Sequence, residues 1–279
     1  MTRRRGVAGL GPAGAVLVLL AGCASAIQPI DPDSELGRAR ETVPTDAGVD
    51  ESARLSAEAE AAYARRPDAR AVALAEELWL RAALADPVAA EPVVGLTLAR
   101  IWLARNVGAP AERDAKAASA VETAQWCAER EPERADCPYW LALAVGVQAE
   151  QRRVTAVDGL KVMIDLLRQM IETQEELDYA GPRRVLSMVL VRAPGWPTGP
   201  GDPDEGLVHA RRAVELFPEY PPNLLALASA HHAVEDPAAS RRRYEEALEA
   251  ARRWRDRGHP DAADWIEEAE AEAEAEKAL

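Results

Sequence analysis

Cys127 and Cys137 are the two residues whose type and spacing speak most directly of chemistry. They stand ten positions apart with no CxxC and no histidine nearby, so neither a metal site nor a redox-active pair has the ligands it needs. In an oxidising compartment such a pair closes a disulfide; otherwise both are buried free thiols. His231 and His232 are neighbours on a segment that reads as helix. Adjacent helical positions point about 100° apart, so the two rings cannot grip one ion together, and they read as groove or surface residues. Asp202-Pro203-Asp204-Glu205-Gly206 begins like a calcium loop. Its later acidic ligand is missing and Pro203 opens a helix, which makes Asp202 an N-cap. Arg241, Arg242 and Arg243 face Glu245, Glu246 and Glu249 on one helix, a solvated and internally paired surface. The sequence has no G-x-S-x-G, H-E-x-x-H or Walker loop. These residues imply binding or assembly rather than catalysis, with no cofactor and no metal.

The N-terminus bears on the compartment. Arg3, Arg4 and Arg5 precede an apolar Gly/Ala-rich stretch that ends in Val16-Leu17-Val18-Leu19-Leu20. It falls short of the roughly 20 apolar residues a membrane span needs and has the order of an export signal. Leu20-Ala21-Gly22-Cys23 follows and resembles the lipobox of bacterial lipoproteins. That resemblance implies cleavage before Cys23 and acylation of its thiol. An ordinary secretory signal cleaved near Ala24-Ser25-Ala26 is the alternative. Ala24 is not the aspartate that retains such proteins in the inner membrane, which by analogy with enteric bacteria favours the outer membrane, facing the periplasm. Gly9-Leu10-Gly11-Pro12-Ala13-Gly14 fits G-x-G-x-x-G but lies inside the removed segment and follows no strand, so it binds no nucleotide.

The elements that must position these residues read as helix throughout. Ala, Leu, Glu and Arg dominate, and Phe217 is the one phenylalanine. The formal charge is −14, and loss of the three signal arginines takes the mature chain to about −17. Nucleic acid and anionic headgroups are poor partners for such a chain; a basic protein or a cationic ligand fits better. Residues 1–22 read as the signal and 23–50, polar and punctuated by proline, as a lipidated flexible tether. Residues 51–258 read as a helical domain, and 259–279 as an acidic C-terminal helix.

Within the domain one spacing recurs. Ala75, Trp79, Ala82 and Pro87 are matched by Ala120, Ala124, Cys127 and Pro132, then by Gly206, Ala210, Ala213 and Pro218. Ser240, Tyr244, Ala247 and Arg252 form a degenerate copy 34 residues after the third. Small residues at helical spacing let the second helix of a hairpin approach its neighbours, and proline ends it. Period and pattern resemble tetratricopeptide (TPR) repeats, and the expected fold is an all-α TPR-like solenoid of antiparallel helix hairpins. An Ala-rich helical bundle is the alternative.

A longer resemblance covers most of residues 117–250. Gly181-Pro182, Ala193-Pro194-Gly195-Trp196-Pro197, Gly201-Asp202, the third copy, and Pro218-Glu219-Tyr220 with Asn223 follow one another. This order is similar to the TatT family, lipoprotein T components of tripartite ATP-independent periplasmic (TRAP) transporter systems. The resemblance implies a lipid-anchored TPR-type protein that pairs with a periplasmic substrate-binding protein, touching the membrane through its lipid alone. Self-association into a homo-oligomer is left open. The chain departs from the pattern at Tyr179-Ala180, where a second glycine is expected, and at an insertion near Asn106–Asp114.

Three local expectations follow. A long helix from about Val154 to Leu177 carries Leu160, Met163, Ile164, Leu167, Met170 and Ile171 on a wide apolar arc, which is either buried core or the lining of an apolar cavity. Gly181 should end that helix in a left-handed conformation, with Pro182 starting the next. Trp196, between Gly195 and Pro197, either caps the seam between repeats or anchors a partner. The functional reading is a TRAP-associated docking lipoprotein that passes an apolar ligand. A structural TPR adaptor for envelope assembly, with no small-molecule ligand, is the alternative.

Overall fold

Proline decides where many of the helices begin. The computed structural model describes residues 25–152 and 154–277, so the signal segment and Cys23 lie outside the described residues. Twelve helices are present among them: α1 (Glu35–Ala39), α2 (Asp46–Tyr63), α3 (Ala69–Ala85), α4 (Glu91–Asn106), α5 (Pro110–Arg130), α6 (Cys137–Gln151), α7 (Ala156–Thr173), α8 (Leu177–Arg192), α9 (Pro203–Leu216), α10 (Pro221–Ala233), α11 (Pro237–Asp256) and α12 (Ala262–Lys277). A proline occupies one of the first two positions of α4, α5, α6, α9, α10 and α11, where the missing N–H costs nothing. Aspartate caps as well: Asp68 of α3 accepts from Arg70 N and Ala71 N, and at α11, beside its proline, Asp236 accepts from Ala239 N.

The helices pair as they come: α2 with α3, α4 with α5, α6 with α7, α8 with α9, and α10 with α11, while α12 packs on α11. First helices also touch the first helix of the next hairpin, as in α2–α4, α4–α6 and α8–α10, whereas second helices do not pack on one another comparably. The first helices therefore form the tighter row, with a gap between α6 and α8. This is an all-α, TPR-like stack.

The recurring spacing falls on second helices. Ala75, Trp79 and Ala82 of α3, Ala120, Ala124 and Cys127 of α5, Ala210 and Ala213 of α9, and Ser240, Tyr244 and Ala247 of α11 are all buried. The close approach is real: a Cβ at Gly95 of α4 would sit 2.3 Å from the Trp79 ring. Between the second and third copies lies a further hairpin, α6–α7. Its second helix keeps a small residue and a large one, Gly159 and Met163, at the first two positions of the pattern, and both are buried.

Residues 26–40 do not behave as a free tether. Ala26 donates its N–H to Asp158 Oδ2 at 2.8 Å, and Gln28 O accepts from Gln125 Nε2 at 3.0 Å. Ile27, Ile30 and Leu36 pack against the core. The segment is a strap lying back across α7, α5 and α3, because its few apolar residues find apolar seams there. The domain's first hairpin begins at Asp46 rather than at residue 51.

Candidate functional site

The start of α8 is built from a backbone that L-residues avoid. Asp178, Tyr179 and Ala180 have φ of 50°, 54° and 62°, a left-handed run costing about 1–2 kcal/mol per residue. A polar network holds it there. The Asp178 carboxylate accepts from Tyr139 Oη of α6 at 2.5 Å and from the Arg184 guanidinium at 2.6 Å. Arg184 also donates to Asp178 O, Tyr179 O and Asn223 Oδ1 at 3.0–3.2 Å. Asn223 of α10 in turn donates through Nδ2 to Tyr179 O, Ala213 O and Phe217 O. The carbonyls of the strained turn thus find donors on two helices, and no regular helix would present them so.

Burial opposes the Arg184 charge, but Asp178 beside it and the nearby tyrosines prevail, so its pKa stays above the ordinary value. Burial, then the Asp178 charge, holds the Tyr139 hydroxyl well above the usual phenol range. The guanidinium keeps its charge and the phenol stays a neutral donor. This arrangement fixes the geometry of the turn.

On the flank of this network sits an aromatic patch. Tyr179 stacks on Tyr220 with ring centroids 4.4 Å apart, and Phe217, Trp254 and Trp265 complete the cluster edge-on. The chain has only seven Trp, five Tyr and one Phe, so gathering five of them here is a concentration. Tyr179 is 44% exposed. Beside the patch, Arg66 from the α2–α3 turn makes a two-pronged ion pair with Asp261, ahead of α12. The first hairpin therefore meets the last, and the curve closes on itself.

Gly181 is not left-handed. The three residues before it are, and α7 has already ended at Thr173. Glycine is required at 181 because a Cβ would lie 2.2 Å from the Tyr139 hydroxyl. Pro182 follows directly, buried in α8. Asn223 belongs to the network, while Asp202 caps α9 by accepting from Glu205 N at 3.0 Å. Cys127 and Cys137 are disulfide-bonded with Cα atoms 5.5 Å apart, joining the end of α5 to the start of α6.

Trp196 does not cap the seam between repeats, since it is 90% exposed. Its loop is cinched behind it by Gly201 N donating to Pro194 O and Thr198 Oγ1 to Gly195 O, and Pro197 is exposed too. His231 is buried and lies 3.5 Å from Asp236, so it is not a groove residue, whereas exposed His232 pairs with the buried Glu276.

On the apolar arc of α7, Met163, Ile164, Leu167 and Met170 are buried in the largest core cluster, and Leu160 and Ile171 are half-buried. Two cavities are notable, and none of these six lines either. One of about 90 Å³ lies between Arg184, Met188, Trp265 and Glu268. The other, of about 470 Å³, is a groove between the strap at Gln28–Asp31 and α5. The first is far below the 300 Å³ or so that a drug-sized ligand occupies.

Tyr139, Asp178, Arg184, Trp254 and the Arg66–Asp261 pair carry no motif that marks them in sequence. Tyr220 and Asn223 lie in the proline-rich Pro218–Asn223 run, which was one available signal. Among the described residues no group of three His, Cys, Asp or Glu side chains is placed to hold a metal ion. No helix among them is long and apolar enough to cross a membrane.

With this geometry in view, the likeness to solved structures can be placed. A thermophilic TPR protein from Thermus thermophilus, TTC0263, superposes with a TM-score of 0.58 at 17% identity, over 77% of this chain and 98% of that one. Two structures of MamA match less closely, with TM-scores of 0.44 and 0.43 at 14% identity, over 73% and 77% of this chain and 93% and 99% of theirs. No protein-family model and no curated protein matches the sequence. The chain has the fold of a TPR protein.

Proposed function

We propose that this chain is an exported, lipid-anchored TPR-type docking protein of the TatT kind, which receives a periplasmic substrate-binding protein of a TRAP system at its aromatic patch. The observation that carries the docking is the pairing of exposed Tyr179 with a rigid frame. Aromatic side chains that lose little freedom on binding are where interfaces concentrate their energy, and Tyr179 is held by a strained backbone and a stack on Tyr220. The lipobox and the order of Gly181-Pro182, Gly195-Trp196-Pro197 and Asn223 supply the rest of the reading. Full burial of Leu167 and Met170 favours docking without passage of an apolar ligand, which is the adaptor alternative on that one point.

Two experiments test it. Labelled palmitate should enter the wild type and not Cys23→Ser; equal labelling sinks the anchor. Titration calorimetry of the purified protein with the TRAP substrate-binding protein of the same organism should give saturable binding. Tyr179→Ala should weaken that binding by about 2 kcal/mol, roughly thirtyfold. Undetectable binding by the wild type would remove the TRAP assignment and leave the scaffold.

A further inference from the structure

We propose that the edge of the stack formed by the α4–α5, α6–α7 and α8–α9 turns lies against the lipid surface to which Cys23 is anchored, with Trp196 seated at its interface. The inference rests on the reading of Cys23 as the acylated residue and adds which face the bilayer meets.

The place where the chain leaves the domain comes first. Ala26 is buried and fixed to Asp158, in the first turn of α7. Cys23 is three residues upstream, and three extended residues reach about 10 Å. The described chain therefore starts beside the α6–α7 turn, and that reach is the length of the leash to the anchor.

That turn and its two neighbours share a side. Each leads from the first to the second helix of consecutive hairpins, so stacking places all three along one edge. Each also shows apolar surface to solvent. Val107 is 39% exposed, Val154 92%, Val157 46% and Trp196 90%. Tryptophan on a bilayer-facing loop takes the headgroup level, where its ring is half apolar and its N–H still finds water.

The turns themselves are poor in charge. Residues 106–111 and 193–201 carry no charged side chain, and 151–157 contain no acidic one. The opposite edge answers with Asp86 in the α3–α4 turn, Glu131, Glu133 and Asp136 before α6, Glu175 and Glu176 before α8, and Glu219 before α10. Glu112, Asp158, Asp202 and Asp204 start the helices just beyond these stretches, so the turns themselves are the uncharged, apolar part of that edge and carboxylates lie at its margin.

The test uses the lipoprotein extracted from membranes of cells expressing the full chain, reconstituted into phosphatidylcholine vesicles with or without bromine in the acyl chains. Mass spectrometry of the N-terminus reads acylation separately. Should Cys23 be unmodified, it is the one thiol outside the disulfide and is coupled to a maleimide lipid in the same vesicles. The Trp196 signal is the difference between the wild type and Trp196→Phe. The expected result is quenching of that signal by brominated lipid and a blue shift, both lost in Val154→Asp with Trp196 retained. A Trp196 signal unmoved by bromine overturns the proposal, as does one that shifts only when a periplasmic binding protein is added, because the edge would then face a protein.

Discussion

The Arg66 guanidinium grips the Asp261 carboxylate at 2.6 and 2.8 Å across 195 positions of sequence. Both side chains are largely shielded, and Arg66 also lies 4.3 Å from the Tyr63 ring centroid. An open solenoid passes stability only between neighbours, but this contact ties its two ends together.

That tie has a measurable strength. A double-mutant cycle with Arg66→Met and Asp261→Asn should show a coupling of about 1–2 kcal/mol, above an exposed pair and below a fully buried one. Hydrogen exchange should quicken in α2, α3 and α12 together. A coupling near zero would mean the ends are held by the other contacts alone.

Asp178 is the hub of the polar network. Asp178→Asn keeps the shape but leaves buried Arg184 without its counter-ion, which should cost about 3–5 kcal/mol in urea unfolding. Tyr139→Phe removes one hydrogen bond and should cost about 1 kcal/mol. Gly181→Ala should cost more than Tyr139→Phe, because the new Cβ meets a buried ring that cannot swing away. Equal costs for Tyr139→Phe and Asp178→Asn would show that the guanidinium is served elsewhere.

The four histidines supply a pH dependence. Burial holds His209, His231 and His259 below the ordinary value, with Arg183 adding to the effect at His209. A histidine kept neutral by folding contributes stability that is full above the unfolded value near 6.5 and is lost as pH falls through it. The melting temperature should drop between pH 7 and 5, and His231→Asn should flatten the drop. Glu268, whose carboxyl burial pushes up, works in the opposite sense as it takes a proton. A melting temperature that rises across this window would contradict the histidine account.

The Cys127–Cys137 bond closes a short loop beneath Ala90 and Val94. Its reduction should lower stability by about 2–3 kcal/mol on the chain-entropy argument. Differential scanning calorimetry with and without reductant measures this, and Cys127→Ala/Cys137→Ala should match the reduced protein.

The hairpins were legible because packing a second helix between neighbours demands small residues at Ala75, Ala120 and Ala210, and demand of that kind leaves a spacing. The α6–α7 hairpin was hidden because the pattern breaks off after Gly159 and Met163. Asp202 and the cysteine pair act over a few residues and could be read locally. The left-handed turn could not. No glycine or asparagine stands at 178–180, and the strain is imposed by Tyr139, Arg184 and Asn223 from three helices. The strap at 26–40 hid behind its polar and proline-rich composition, which outweighs Ile27, Ile30 and Leu36 in any average although those three side chains do the docking.

The strap also sets an order of events. Ala26 meets its acceptor 132 positions later, on Asp158, so the first residues of the domain to be made cannot take their place until α7 exists. Three hairpins supply the surface on which the strap docks. The strap is therefore a late piece of the N-terminal half, seated on a surface that the α6–α7 hairpin must first complete.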